Sequence, residues 1–174
     1  MKIDFPCTAI VCAVAIAATA CALAIPAAAV ALRSNVLSGP FVHATWGHLV
    51  RDLALVAIAG VAYEAPLARV RLPLFAAGLV LPAAAVLLFT DARWYCGLSG
   101  LSHALLAAAL AYEIRRRRSR LALLVGALLA LKVGYELVTG GAAFPMELGA
   151  NVHQVPLAHA VGVLAGIAIP QGTE

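Results

Sequence analysis

Six stretches of apolar residues, each near the length that crosses a bilayer, dominate this chain: roughly 7–32, 46–64, 72–90, 98–114, 120–138 and 155–169. A hydrocarbon core takes about 20 residues of helix. Inside it every backbone N–H and C=O must be paired within the protein, which favours helices. The expectation is an all-α membrane protein, a six-helix transmembrane bundle that fills residues 1–174 as a single domain. Composition agrees: 64% of residues are hydrophobic and 11% charged, with a mean hydropathy of +0.99, far from a soluble domain. Lys2 precedes the first apolar run and Ala27-Ala28-Ala29 offers small residues, as in a cleavable signal peptide. The length of the run favours an uncleaved span.

The net charge of +4 raises a nucleic-acid partner and its distribution argues against one. Arg115-Arg116-Arg117-Arg118 lies between two apolar stretches, Arg69 and Arg71 lie between two others, and Lys2 precedes the first. Every even-numbered connection is therefore basic, which orients those loops and both termini toward the cytoplasm. The expected partner is the lipid bilayer, with no nucleic acid. Cys7, Cys12, Cys21 and Cys96 show no C-x-x-C or zinc-ligand spacing and read as small core residues.

This orientation brings three polar groups to one depth near the outer face: His48 opening helix two, Ser99 opening helix four, and His159 about four residues, roughly 6 Å, into helix six. A serine hydroxyl becomes a nucleophile when a positioned base takes its proton, and histidine is the usual base. Ser99 by itself suits a helix N-cap, but Gly97 and Gly100 on either side clear side chains from around the hydroxyl. Ionisable residues within membrane spans are costly enough to count as functional candidates. His159, Gly162 and Gly166 share one helical face, which can pack closely on Ala104, Ala107, Ala108 and Ala111 of helix four and carry His159 toward Ser99.

His43, His48 and Asp52 form a further cluster, with His48 and Asp52 at i, i+4. One reading is an oxyanion helper in which His48 donates and Asp52 orients or charges it; two histidines and a carboxylate also match a zinc site, and an interfacial polar turn is the structural alternative. Lys132 and Glu136, also i, i+4, read as a pair that neutralises itself in the membrane, with substrate gating as an alternative for Glu136. His103, one turn after Ser99, is either a rival base or a group that holds His159 in place. His153 has no evident role. Trp94 and Tyr95 fit an interfacial anchor, and Gly39-Pro40 marks a turn in the first outer loop.

Helices two to six resemble the rhomboid intramembrane serine proteases. The resemblance rests on G-x-S-G at Gly97 to Gly100, A-H-x-x-G-x-x-x-G at Ala158 to Gly166, and H-x-x-x-x-H-x-x-x-[polar] at His43, His48 and Asp52; Gly60-x-x-x-Glu64 also fits. It implies a rhomboid-like bundle in which Ser99 is the nucleophile and His159 the general base, with no third acid, no metal and no cofactor. The oxyanion hole would comprise His48, Asp52 and the Ser99 backbone N–H, supported by Gly97, Gly100, His103, Gly162 and Gly166. Many rhomboids carry asparagine where this chain has Asp52, so Asp52 is expected to be protonated, bonded to His48 or paired with Arg51. The Trp-Arg motif of many rhomboid first loops is not evident.

The small size, short first loop, His103 and the Lys132/Glu136 pair look closer to the rhombosortase branch. That branch implies substrates that are membrane-anchored exported proteins with a C-terminal Gly-rich sorting signal, cut in a bacterial cytoplasmic (inner) membrane by a site opening to the periplasmic side. The alternatives are a general rhomboid protease of other membrane proteins and a non-catalytic rhomboid-like binding protein. A small transporter or a haem protein using His48 and His159 is a more distant rival.

Overall fold

The computed structural model describes residues 5–25, 32–144 and 152–169. Among them are six α-helices: α1 (Pro6–Ala24), α2 (Trp46–Tyr63), α3 (Arg71–Phe89), α4 (Ser99–Arg117), α5 (Arg120–Thr139) and α6 (Pro156–Ala168), with one 3-10 turn at Gly39–Phe41. The expected bundle is present, and its apolar helices make this a membrane protein. α1, α3 and α5 are long and apolar enough to cross a bilayer by length and composition alone. α2 and α4 carry the polar residues of the site, and α6 has 13 residues. The first helix ends at Ala24, earlier than the expected 32, and Ala27 to Ala29 lie outside the described residues.

α4 is the central helix, packed against α6, α3, α2 and α5. Its buried positions are mostly small: Gly100, Ala104, Ala107, Ala108, Ala109 and Ala111, with Leu101 and Leu105 filling the core toward α2 and α3. Small side chains let membrane helices approach until dispersion and backbone contacts hold them. A Cβ on Gly162 would strike the Gly100 carbonyl, and one on Gly166 the Ala104 carbonyl and, at 3.0 Å, the Ala107 methyl. The glycine face of α6 therefore lies on α4 as its spacing predicts. The outward faces remain apolar, with Leu88 74%, Val138 87% and Leu131 69% exposed, a surface suited to lipid rather than water.

The two ends of the bundle are chemically different. At one end Glu64 closes α2 and caps α1, accepting the Cys7 N–H at 2.7 Å, the Thr8 N–H at 2.8 Å and the Thr8 hydroxyl at 2.6 Å. These N–H groups start a helix and have no partner within it, and a carboxylate there also suits the helix dipole. Gly60 leaves the space that Thr8 fills. At the same end Tyr63 donates to Glu113 at 3.1 Å, and Arg117 pairs with Glu113 at 3.2 Å. The opposite end gathers the starts of α2, α4 and α6.

There the first loop packs on the segment leading into α4. The Tyr95 N–H donates to the Arg33 carbonyl at 2.9 Å, and Gly39 lies so close that a Cβ would come within 2.7 Å of the Tyr95 carbonyl. The Gly39-Pro40 turn is thus a contact point, and Arg33 lies 5.2 Å from the Trp94 ring centre.

Candidate active site

Thr45 begins the site by capping α2: its hydroxyl accepts the His48 N–H at 3.1 Å. The first turn then sets His48 and Asp52 on one face. Asp52 Oδ2 accepts from the Leu98 N–H at 2.7 Å and from His43 Nε2 at 3.2 Å, and His48 Nε2 lies 3.4 Å from it as an ion-pair partner. Of the expected partners of Asp52, His48 lies beside it at 3.4 Å and Arg51 is exposed. The Thr19 hydroxyl of α1 lies 3.1 Å from His43 Nδ1 and accepts the His43 N–H at 3.1 Å. Burial holds the His43 imidazole below its ordinary pKa, so the ring is neutral. The ligand atoms of His43, His48 and Asp52 lie within 4.8 Å of one another. The Leu98 N–H also bonds Asp52 Oδ2, which makes the cluster a hub tied to the backbone before α4.

That hub grips the turn before Ser99. Gly97 has φ +103°, and a Cβ on it would come within 2.6 Å of His48 Nε2 and 3.0 Å of Asp52 Oδ2. Glycine is required there for conformation and for space. Gly100 faces Pro82 at 2.5 Å and the Tyr95 hydroxyl at 3.2 Å, measured from its ideal Cβ position. The space that the flanking glycines leave free of side chains is filled by His48, Asp52, Pro82 and Tyr95.

Ser99 opens α4 and is half-buried. Its carbonyl accepts from the Ser102 hydroxyl at 2.9 Å and from His103 Nδ1 at 2.7 Å. The Tyr95 phenol engages the Ser99 side chain, and burial keeps that phenol a neutral hydroxyl by raising its pKa. Tyr95 is 5% exposed, which corrects its reading as an interfacial anchor: its ring is core.

His159 is 5% exposed, and its ring stacks on His103 with centroids 4.2 Å apart and planes 10° from parallel. Its Nδ1 lies 2.8 Å from Glu136 Oε2 and 3.2 Å from Lys132 Nζ. Lys132 Nζ reaches Glu136 Oε2 at 3.0 Å and His103 Nε2 at 2.7 Å. Both His103 nitrogens are therefore occupied, one by the Ser99 carbonyl and one by Lys132, while its ring lies flat on that of His159. The Lys132/Glu136 pair exists as its spacing predicts, and it reaches well beyond its own helix. Glu136 as a partner of His159 is missed in the sequence. The i, i+4 spacing reveals its pairing with Lys132 and hides a third partner 23 positions away.

His153 is exposed. His103 touches both the Ser99 carbonyl and the His159 ring at the α4–α6 contact, and His48 and Asp52 lie against the turn that introduces Ser99. No curated protein matches the chain. The Rhomboid domain matches residues 31–172, which include all of these positions. With six helices arranged around this site and a match over well more than half its length, the chain belongs to the Rhomboid domain family, whose members are generally intramembrane serine proteases.

Proposed function

We propose that this protein is an intramembrane serine endopeptidase of the rhombosortase type, acting in the bacterial inner membrane from a site that opens to the periplasmic side. The supporting observation is the anchorage of the His159 ring. It stacks on His103, which donates to the backbone carbonyl of Ser99, so a single residue links the segment of the nucleophile to the ring of the base.

Ser99 Oγ attacks the scissile carbonyl while His159 Nε2 takes the hydroxyl proton. The C–N bond then breaks as His159 returns that proton to the leaving amine. Water, with His159 as base, hydrolyses the acyl-enzyme and frees Ser99. The hydroxyl–imidazole contact of such a pair tightens when substrate enters. We assign the oxyanion to the Ser99 N–H and to His48 Nδ1, which is buried without a partner among the described residues. With Nε2 serving Asp52, donation from Nδ1 requires both His48 nitrogens to be protonated.

The substrate we assign is an exported protein held by a C-terminal anchor with a Gly-rich segment. A spanning helix hides its carbonyls in internal bonds, and each glycine weakens a helix by about 1 kcal/mol relative to alanine. Such a segment unwinds at the depth of Ser99. The arginine run at the opposite end of the bundle supports the orientation.

The test is coexpression of this chain with an exported protein bearing such an anchor, following the size of the exported protein. Release with wild type and retention with Ser99→Ala is the expected result. Retention with both overturns the substrate assignment, and release with both overturns the nucleophile.

A further inference from the structure

With Ser99 and His159 as nucleophile and base, as proposed above, we infer that Glu136 is the positioning residue for His159. Lys132 and His103 hold Glu136 to that task. The case rests on donor and acceptor accounting at one buried cluster.

A carbonyl oxygen only accepts, so His103 Nδ1, 2.7 Å from the Ser99 carbonyl, carries a hydrogen. The neutral ring then presents a lone pair at Nε2. Lys132 ammonium, which only donates, lies 2.7 Å away. A second Lys132 hydrogen points to Glu136 Oε2 at 3.0 Å. The same oxygen lies 2.8 Å from His159 Nδ1, and a carboxylate accepts, so Nδ1 carries the hydrogen there too. Lys132 is also within 3.2 Å of His159 Nδ1. One ring nitrogen cannot donate to the carboxylate and accept from the ammonium at once. The carboxylate is nearer, and the ammonium has two other acceptors.

The consequence is a single tautomer of His159, hydrogen on Nδ1 and lone pair on Nε2, the form a general base for Ser99 requires. Ala143 N–H holds the other Glu136 oxygen at 3.2 Å. Glu136 is 1% exposed, so water does not compete for it. A carboxylate that merely neutralised Lys132 on its own helix would leave the choice of tautomer open.

Two measurements test this. The first is the rate at which a fluorophosphonate labels Ser99 in detergent-purified wild type, Glu136→Gln, His159→Ala and Ser99→Ala. A glutamine offers His159 both a donor and an acceptor and admits the wrong tautomer; the corresponding change in a serine–histidine–carboxylate triad costs about 10⁴-fold. We expect Glu136→Gln to label roughly 10²–10⁴-fold more slowly, within the range attributed to base catalysis. Its residual rate should climb with hydroxide and not level off at a histidine titration. The titratable groups around the ring that enter this profile are Lys132 and Glu136 from α5, His103 from α4 and, through space, Asp52 of α2. Labelling of Glu136→Gln within threefold of wild type and with its pH profile, while His159→Ala is silent, overturns the role of Glu136 alone. A silent wild type overturns the protease reading and this inference together.

The second measurement needs no variant of Glu136 and stands even where that variant fails to fold. Nitrogen NMR of ¹⁵N-histidine-labelled protein, with His159 assigned by difference against His159→Ala, should show a protonated Nδ1 and an unprotonated Nε2. The opposite tautomer overturns the inference.

Discussion

Two clusters of one carboxylate and two histidines stand at the same end of this bundle and are finished differently. In the α2 cluster, Asp52 Oδ2 takes His43, His48 and the Leu98 N–H, and the product is a fixed backbone turn. In the α5–α6 cluster, Glu136 takes Lys132, His159 and the Ala143 N–H. His159 there has only Nδ1 engaged by the cluster. A carboxylate whose donors include the neighbouring loop shapes that loop, whereas one that holds a ring by a single nitrogen sets the chemistry of the other. The first cluster fixes the turn before Ser99, and the second fixes the ring of His159, the base in the proposed mechanism.

The comparison is broken most forcefully at Asp52. Asp52→Ala strands two imidazoles and a backbone N–H, each at about 1–3 kcal/mol when buried without a partner. The expected outcome is a large drop in melting temperature in detergent together with loss of Ser99 labelling. Asp52→Asn keeps one acceptor oxygen and should retain the fold with reduced labelling; full activity in Asp52→Asn would show that the charge of the hub is dispensable.

Next in size is Gly162→Val. Its side chain meets the Gly100 carbonyl and His103 Cβ, and overpacking costs about 1–3 kcal/mol. Because α6 carries His159, labelling should fall further than stability does. A variant that unfolds earlier yet labels normally would show that the glycine contact does not set the position of His159.

Lys132→Met sharpens the difference between the clusters. It removes one partner of Glu136 and the donor to His103 but leaves the Glu136–His159 bond. Labelling should slow by less than in Glu136→Gln, and an equal or greater loss would make Lys132 the dominant partner of His159. The smallest effect belongs to Arg117→Ala at the far end. Its pair with Glu113 is exposed on the arginine side and spaced i, i+4, worth about 0.3–0.5 kcal/mol. Stability should barely change and labelling not at all; slowed labelling would mean that the two ends of the bundle are coupled.

Much of this was legible before the fold was known because membrane solvation writes itself into sequence. Apolar run length located the helices, and the spacing of Gly162 and Gly166 predicted the face of α6 that meets α4. Local spacing also found both i, i+4 pairs, His48/Asp52 and Lys132/Glu136. What it could not find were partners brought from other helices. Thr19 of α1 holds His43, Leu98 uses a backbone N–H that no side-chain pattern records, and Glu136 reaches across to α6. Tyr95 misled for a related reason: an aromatic at the end of an apolar run suits an interface, and only the first loop folding over it makes it core. The glycines around Ser99 stand out in the sequence, but their neighbours do not, since His48, Asp52, Pro82 and Tyr95 come from other segments.

The central claim is that His159 activates Ser99. Intact-mass analysis after fluorophosphonate treatment, with the adduct mapped by peptide sequencing, tests it most directly. The account predicts a single adduct on Ser99 in wild type and none in folded His159→Ala. Equal labelling of the two proteins, or an unlabelled Ser99 in folded wild type, would contradict it.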